Sequence, residues 1–310
     1  MRGFVLAAGF GTRMRPLTDH IPKALIPVCG KPLLERALQF VYENGISGIG
    51  VNTHYLPGQI QEFRDRSSIA FDLFLESGNI RGTGGAFDFA RRFLTADDSF
   101  FTLNVDIVCK FDLREAVRKF TESDCLCMLI AFPCERGKGT VLFDPLSYEY
   151  IGTPADTHRL PAMGEAAFIG AALYKREFLD LVTTDDFSIV PVWKRAVEKK
   201  HSVIVNVQQS GFWRDIGNIS ALAEIHFEQL DKKINLDIPQ RLSFVASEKI
   251  CIPTHCNHID SNLSGLYAWI ETDKFSNSTV RRSIVWPDID ICKREITDSI
   301  LTPFGVLPIS

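Results

Sequence analysis

Residues 6–18 of the chain read LAAGFGTRMRPLT, and residues 22–25 read PKAL. The first stretch begins inside an apolar run, Gly3 to Ala7, whose composition is that of a buried strand. Gly9 and Gly11 then allow the backbone to turn back tightly and to present bare N–H groups to an anion. The stretch therefore predicts a strand that ends in an anion-binding loop.

Three cations follow the glycines closely: Arg13, Arg15 and Lys23. Arginine binds phosphate oxygens in pairs, while lysine acts as a mobile point charge, so the set suits a triphosphate. The alternative is a tight turn whose arginines pair with surface carboxylates. The loop lacks the Gly-Lys-Ser/Thr ending of a P-loop and the third glycine of a dinucleotide fingerprint. The pattern indicates a phosphate-binding pocket of another kind.

Strand-like and helix-like segments alternate as far as Leu230. The predicted strands are Gly3–Ala7, Ile49–Asn52, Phe71–Glu76, Phe100–Asn104, Cys125–Phe132 and Val203–Val207, with an apolar stretch at Phe168–Tyr174. The predicted helices are Leu33–Glu43, Gly84–Leu94, Leu113–Phe120, Val190–Lys199 and Ile219–Leu230. Such alternation predicts an α/β, Rossmann-like fold with a mostly parallel sheet covered by helices on both faces.

The spacing of apolar residues changes after Leu230. Val280, Val285, Ile291 and Ile296 recur at five- or six-residue intervals with small or polar residues between them. This spacing favours a β-solenoid whose successive faces each bury one apolar residue, and the alternative is an irregular β-hairpin tail. We expect a catalytic domain over residues 1–230, a linker over 231–242 and a short β-helical tail over 243–310. Because so short a solenoid cannot bury its own ends, we expect a homo-oligomer through residues beyond Gln240.

The composition excludes several classes of protein. With 45% hydrophobic and 23% charged residues among 310, the chain has ample material for a core and is not disordered. The formal net charge of −4 argues against a nucleic-acid partner. No apolar run reaches the roughly 20 residues of a membrane-spanning helix, so no membrane partner is expected. Eight cysteines without a secretory signal indicate reduced thiols in the cytoplasm.

Two aspartates, Asp106 and Asp215, follow strand-like sequence more than a hundred residues apart. Each alone has the ordinary interpretation of a turn or helix cap. In a doubly wound sheet, however, side chains at the carboxyl ends of strands meet at the ligand crevice. A pair of carboxylates with phosphate oxygens is what Mg²⁺ prefers. Together the two residues favour a magnesium site.

Four ordered motifs carry a resemblance to a known family. They are residues 6–34, Gly82 to Ala86, Leu103 to Asp106, and Gly211 to Gly217. This set resembles the signature of the sugar-1-phosphate nucleotidyltransferases, also called nucleotide-sugar pyrophosphorylases. The resemblance covers residues 1 to about 230, and the tail resembles the left-handed β-helix that many members append.

The resemblance implies roles for individual residues. It implies nucleotide binding by Leu6, Ala8, Gly9, Gly11, Thr12, Arg13, Gly82, Gly84 and Gly85. It implies catalytic roles for Arg13, Lys23 and Asp106, sugar-phosphate binding by Asn104 and Gly170, and Mg²⁺ binding by Asp106 and Asp215. The expected reaction is Mg²⁺-dependent transfer of a nucleotidyl group from a nucleoside triphosphate to a sugar-1-phosphate, giving a nucleoside-diphosphate sugar and pyrophosphate.

Two departures from the family pattern keep alternatives open. Val105 stands where many members carry glycine, and no Glu-Lys-Pro sugar motif occurs between Lys138 and Gly164. The Asp106 context is similar to guanylyltransferases that use mannose-1-phosphate, whereas Phe168 is similar to uridylyltransferases that use N-acetylmuramate-1-phosphate. A nucleotidyltransferase that uses a non-sugar phosphate, and a non-catalytic regulatory subunit that binds nucleotide-sugar, are the other hypotheses.

Overall fold

The computed structural model describes residues 1–245, 249–256 and 267–309. Its strands are β1 Arg2–Leu6, β2 Pro27–Val28, β3 Lys31–Pro32, β4 Gly48–Thr53, β5 Asp72–Leu75, β6 Ser99–Asn104, β7 Ile107–Lys110, β8 Cys127–Phe132, β9 Val141–Phe143, β10 Tyr150–Gly152, β11 Gly164–Lys175, β12 Val203–Val207, β13 Phe212–Asp215, β14 Leu242–Val245, β15 Ile250–Pro253, β16 Ala268–Ile270, β17 Thr279–Arg281, β18 Ser283–Val285, β19 Glu295–Thr297, β20 Ser299–Thr302 and β21 Gly305–Pro308. Its α-helices are α1 Leu33–Glu43, α2 Pro57–Arg66, α3 Gly82–Phe89, α4 Arg91–Leu94, α5 Leu113–Thr121, α6 Val190–Glu198 and α7 Ile219–Leu230.

Contacts between residues divide the chain into two compact units. The first unit holds Met1–Phe10 and Leu34–Asp215, and the second holds Gly11–Leu33 and Ile216–Ser310. The glycine-rich loop therefore divides after Phe10, and its two glycines belong to different units. The domain boundaries expected from the sequence, at 230 and 242, stay a prediction, and part of the predicted tail lies outside the described residues.

The sheet of the first unit has nine strands and a parallel centre. Its order is β10-β9-β11-β6-β1-β4-β5, and β8 and β12 extend it beyond β11. The strand β1 runs parallel to β4 and β6, and β4 runs parallel to β5. The prediction of an α/β, Rossmann-like fold is confirmed. The apolar stretch at Phe168–Tyr174 belongs to β11, which runs antiparallel to β6 and β8.

Several helices begin and end where the sequence predicts them. Both α1 and α7 have the predicted bounds, and α7 begins with the Asn218 side chain accepting a hydrogen bond from the Ala221 N–H at 2.9 Å. The predicted helix Gly84–Leu94 is instead two helices, α3 and α4, because Ala90 leaves the helical conformation. None of the helices in the described ranges combines the length and the apolar character that a bilayer-spanning helix requires.

The second unit contains a mainly parallel sheet, β14-β15-β16-β18-β20-β21. A smaller sheet pairs β17 with β19, so that Val280 lies beside Ile296, sixteen residues later. Val280, Val285, Ile291 and Ile296, the four residues singled out by their spacing, are all buried in one hydrophobic cluster. These parallel pairs and inward side chains support the β-helical interpretation, which stays a prediction.

A buried ion pair fixes the loop that packs against the start of α3. Arg195 donates hydrogen bonds to both carboxylate oxygens of Asp186, at 2.9 and 3.0 Å, and lowers the pKa of Asp186 to about 2. Asp186 also accepts hydrogen bonds from the N–H and hydroxyl of Thr183. Because the pKa of this buried carboxyl is lower in the folded state than in the unfolded chain, its ionised form stabilises the fold at neutral pH.

We predict that Asp186→Asn lowers the free energy of unfolding by about 2 kcal/mol at neutral pH. The pKa in the folded state lies below the unfolded value, so this contribution is present above about pH 4 and is lost as the pH falls towards 2. Urea unfolding at pH 7, 4 and 2.5 measures it, and the difference between the two proteins should shrink with acid. Asp185→Asn, at an exposed neighbour, is the control and should behave like the wild type. Equal stability of Asp186→Asn and wild type at pH 7 would contradict the prediction.

Candidate active site

A buried hydrogen-bond network fixes the end of β1. The Ala7 N–H donates to the side-chain oxygen of Asn52 at 2.7 Å, and the Asn52 amide nitrogen donates to Glu76 at 2.7 Å. The second carboxylate oxygen of Glu76 accepts the Arg81 N–H at 3.0 Å. The network therefore connects the start of the glycine-rich loop to the residue that precedes α3.

Gly9, in the part of the loop that belongs to the first unit, has open space around it. Leu6 is paired in register with Asn104, and its carbonyl accepts the Val105 N–H at 3.1 Å. Ala8 is buried, whereas Gly9 is exposed, and a methyl group added there would meet nothing within 4 Å. Its lack of a side chain has no explanation in packing. This position leaves its backbone accessible to a ligand.

The glycines that open α3 have a packing explanation. A side chain on Gly82 would come 2.1 Å from the Phe187 carbonyl oxygen, and one on Gly84 would come 2.3 Å from that of Asp186. A side chain on Gly85 would come 3.0 Å from the Cβ of Arg81. Close approach of the protein's own chain therefore requires at least the first two glycines, whether or not a nucleotide also lies there.

The two predicted sugar-phosphate residues are neighbours. Gly170 has a φ of +75°, and a side chain there would come 2.6 Å from the Asn104 amide nitrogen. The pairing of β11 with β8 shifts register between Phe168 and Ala171. The Phe168 ring is partly buried and packs edge-on against Trp193 at 5.0 Å, and Val105 is buried, so both side chains have a packing role in the protein itself.

The two aspartates come together through a strand pair that the sequence does not reveal. Antiparallel pairing of β13 with β7 makes Asp215 the direct partner of Ile107, the residue that follows Asp106. Directly opposed residues in such a pair lie about 5 Å apart, so the two aspartates are close neighbours in the backbone. The oxygen donors of two carboxylates fit Mg²⁺, which takes few protein ligands and completes its shell with water and phosphate. In the described part of the chain, no group of three or more His, Cys, Asp or Glu side chains is arranged to hold a metal ion.

The remaining predicted residues lie in the second unit, on residues 11–33, which we call the cation segment. Gly11 has a left-handed φ of +63°, and a side chain there would meet Thr18 and Lys23 at 2.9 and 3.0 Å. Thr12 and Arg13 follow in an exposed 3-10 turn, while Lys23 is buried. The exposed Arg15 forms an ion pair with Asp19, as the surface-carboxylate alternative expects for that residue.

The structure thus brings the predicted residues together in two groups. In the first unit, Leu6, Asn104 and Gly170 are neighbours, and so are Asp106 and Asp215. In the second, Gly11 and Lys23 are neighbours. Sequence reasoning missed Asn52 and Glu76. A signal was present, because each is a polar residue beside a strand of apolar residues.

Comparisons with known proteins agree with the motifs. Residues 2–143 match the family model described as nucleotidyl transferase. A mannose-1-phosphate guanyltransferase 2 of Candida glabrata is 28% identical over 70% of this chain and 61% of its own length. A mannose-1-phosphate guanyltransferase of Eremothecium gossypii is 27% identical over 76% of this chain and 70% of its own length. The bifunctional protein GlmU of Methanocaldococcus jannaschii is 27% identical over 78% of this chain and 57% of its own length. The chain thus spans about three-fifths of the length of two of these relatives.

Solved structures share the fold. A Bacillus anthracis protein assigned as a glucose-1-phosphate thymidylyltransferase superposes with a TM-score of 0.65 and 19% identity, over 76% of this chain and 97% of that one. HddC from Yersinia pseudotuberculosis, complexed with GMP-PN, superposes with a TM-score of 0.60 and 19% identity, over 72% of this chain and 97% of that one. Residues 2–143 thus match a nucleotidyl transferase domain, the fold is that of solved sugar-phosphate nucleotidyltransferases, and the chain is similar in sequence to enzymes named mannose-1-phosphate guanyltransferase.

Proposed function

We propose that this protein transfers a nucleotidyl group from a nucleoside triphosphate to a sugar-1-phosphate, with Mg²⁺ as cofactor. The observation that carries the proposal is the pairing of β13 with β7, which sets Asp215 beside the residue next to Asp106. An oxygen of the sugar-1-phosphate attacks the α-phosphorus, the bond to the bridging oxygen breaks, and pyrophosphate leaves. The attacking oxygen is already an anion, so the reaction needs no general base.

The first unit would bind the reacting groups. The Gly9 backbone would approach the nucleotide, and Asn104 beside Gly170 would bind the sugar phosphate. Asp106 and Asp215 would hold Mg²⁺. Bound there with the phosphates, Mg²⁺ supplies positive charge that offsets the charge of the phosphate under attack.

The cation segment would act on the departing group. Arg13, which follows Gly9 by four residues and is exposed, would bind pyrophosphate through its forked donors. Lys23 would neutralise negative charge between the phosphates. Because such a reaction depends on positioning and charge, fixed cations are the main contribution of this segment.

Relatives named as mannose-1-phosphate guanyltransferases make GTP with mannose-1-phosphate the first pair to test. The sequence likeness to N-acetylmuramate-1-phosphate uridylyltransferases makes UTP with that sugar phosphate the second. A screen of pyrophosphate release over four triphosphates and a panel of sugar-1-phosphates and other phosphates identifies the pair. We further propose a cytoplasmic location, on the argument from reduced thiols.

We predict that Asp106→Asn and Asp215→Asn each lower kcat/KM at least about 100-fold, because each removes a charged ligand from the cation site. Pyrophosphate release over a Mg²⁺ titration measures the loss, and the variants should need more Mg²⁺ to reach half their own maximal rate. Circular dichroism and melting temperature check the fold.

Near-wild-type turnover in both variants would overturn the magnesium assignment. If the wild type releases no pyrophosphate with any pair yet binds nucleotide-sugar by calorimetry, the regulatory hypothesis replaces this one. Asp112→Asn is not a suitable control because that side chain caps α5, whereas the exposed Asp185→Asn is.

Gly9→Ala tests whether the nucleotide lies against the Gly9 backbone without disturbing the packing of the protein. The added methyl meets no protein atom within 4 Å, so the melting temperature should not change. We expect KM for the triphosphate to rise about tenfold, because the methyl occupies space that the ligand needs. Gly58→Ala, at an exposed glycine that is equally open, is the matched control and should leave KM unchanged. An unchanged KM in Gly9→Ala would remove Gly9 from the nucleotide site.

We also propose a homo-oligomer formed through the tail beyond Gln240. The strand β21 ends the six-stranded sheet, and Val306 on it is 62% exposed, so a second copy can cover this edge. Sedimentation velocity should give more than a monomer for the wild type and a monomer for Val306→Asp, because a buried charge opposes association. Leu146→Asp, at a 91% exposed position of the first unit, should sediment like the wild type. A monomeric wild type would contradict this proposal.

A further inference from the structure

The cation segment belongs with the C-terminal part of the chain. By contacts, Gly11–Leu33 forms one compact unit with Ile216–Ser310, although residues 1–10 belong to the other unit. Apart from three 3-10 turns, the segment contains only the two-residue strands β2 and β3. Its rigidity therefore depends on what it packs against.

The first attachment is a buried histidine on α7. The Cys29 N–H donates to Nε2 of His226 at 2.9 Å, so that nitrogen carries no proton. Nδ1 of His226 then donates to the Leu222 carbonyl oxygen at 2.7 Å. The ring is 1% exposed and lies edge-on to Trp269 of β16 at 5.2 Å. One imidazole thus fixes the cation segment, α7 and the tail in a single arrangement.

The second attachment is the turn at Gly30. Arg241 donates to the Gly30 carbonyl oxygen at 3.1 Å and to Glu271 at 2.9 Å. The other Glu271 oxygen accepts the Trp269 indole N–H at 3.0 Å, and this carboxylate is 1% exposed. A side chain on Gly30 would come 2.8 Å from Pro239, so the backbone closely approaches the residues that lead into the tail. A buried carboxylate on the tail therefore holds the arginine that binds the segment.

The third attachment is an aromatic stack. His20 lies parallel to Phe304 with ring centroids 4.6 Å apart and planes at 10°. Phe304 also packs edge-on against Trp286. His20 stands three residues before Lys23 in the sequence, so this contact acts close to a predicted catalytic cation.

We propose that the tail positions the cation segment within its own chain, and that His226, Arg241 and Phe304 are positioning residues for Arg13 and Lys23. The proposal rests on the function proposed above for those two cations. It assigns the tail a task that does not depend on association with a second copy. Loosening any of the three attachments should let the segment open more often and should raise KM for the triphosphate.

The test compares Phe304→Ala with Phe304→Tyr, which keeps the stacked ring. Hydrogen exchange measured by mass spectrometry over residues 11–33 should be about 3- to 10-fold faster in Phe304→Ala and within about twofold of wild type in Phe304→Tyr. A peptide covering β6 is the internal reference and should not change. KM for the triphosphate should rise in the alanine variant and recover in the tyrosine variant.

Val306→Ala distinguishes positioning of the cation segment from association of copies, because it removes exposed apolar surface on β21, two residues after Phe304, which lies in the turn that joins β20 to β21. It should leave exchange over residues 11–33 unchanged. His226→Leu, which leaves the buried Cys29 N–H without its acceptor, should accelerate that exchange about tenfold or more. If His226→Leu does not fold, Phe304→Ala decides alone.

Unchanged exchange over residues 11–33 in Phe304→Ala would overturn the proposal, as would an equal change in Val306→Ala. Exchange needs no substrate, so the two proposals fail separately. If exchange is faster in Phe304→Ala but the wild-type protein shows no turnover with any substrate pair, the proposed function is rejected and the attachment of the cation segment stands. Normal turnover with unchanged exchange would reject the attachment alone.

Discussion

The hydrogen bond from the Ala7 N–H to Asn52 is the constraint on which the rest of the first unit depends. β1 is an interior strand of the sheet, between β6 and β4, and a buried N–H at its end costs about 1–3 kcal/mol if no acceptor is present. Asn52 accepts that bond, and its own amide group then needs an acceptor inside the protein, which Glu76 provides. Glu76 in turn accepts the Arg81 N–H. Each residue that accepts or donates one of these hydrogen bonds also makes the next one. The network therefore fixes the start of the loop and the start of α3 together.

The elements with strong local periodicity could be predicted from the sequence. α7 has its predicted bounds because an apolar face, an N-terminal asparagine and a polar stop all lie within the segment itself. The strand β11 shows what local periodicity does not predict. Its apolar residues indicate a strand, but nothing in their order tells whether the strand runs parallel or antiparallel to β6. Likewise, Asn52 and Glu76 are 24 residues apart, so no local pattern pairs them.

The glycines of two motifs in the candidate site show the same limit. Gly9, Gly11, Gly82 and Gly84 are the same residue with different physical reasons to be glycine. Gly11 needs a left-handed backbone, and the pair at α3 must let Asp186 and Phe187 approach. The residues that impose this closeness are about a hundred positions away, so the sequence alone assigns all four to the ligand. Val105 and Phe168 likewise have packing roles that the sequence does not reveal, and the substrate preference read from them stays a prediction.

In the proposed reaction, how rigidly the charged side chains are held matters as much as their charge. A reaction that needs no general base depends on how well its carboxylates and cations are held. Strand pairing holds Asp215, and Asp106 lies in the two-residue turn between strands β6 and β7. Arg13 and Lys23 lie in short 3-10 turns, and we propose that α7 and the tail hold the segment that carries them. The buried Glu271 makes this support cooperative, because loss of Arg241 leaves a carboxylate inside the protein with one fewer donor. On the proposal above, the tail contributes to phosphate binding by holding the cation segment, and the proposed association of copies would use a different part of it, the exposed edge at β21.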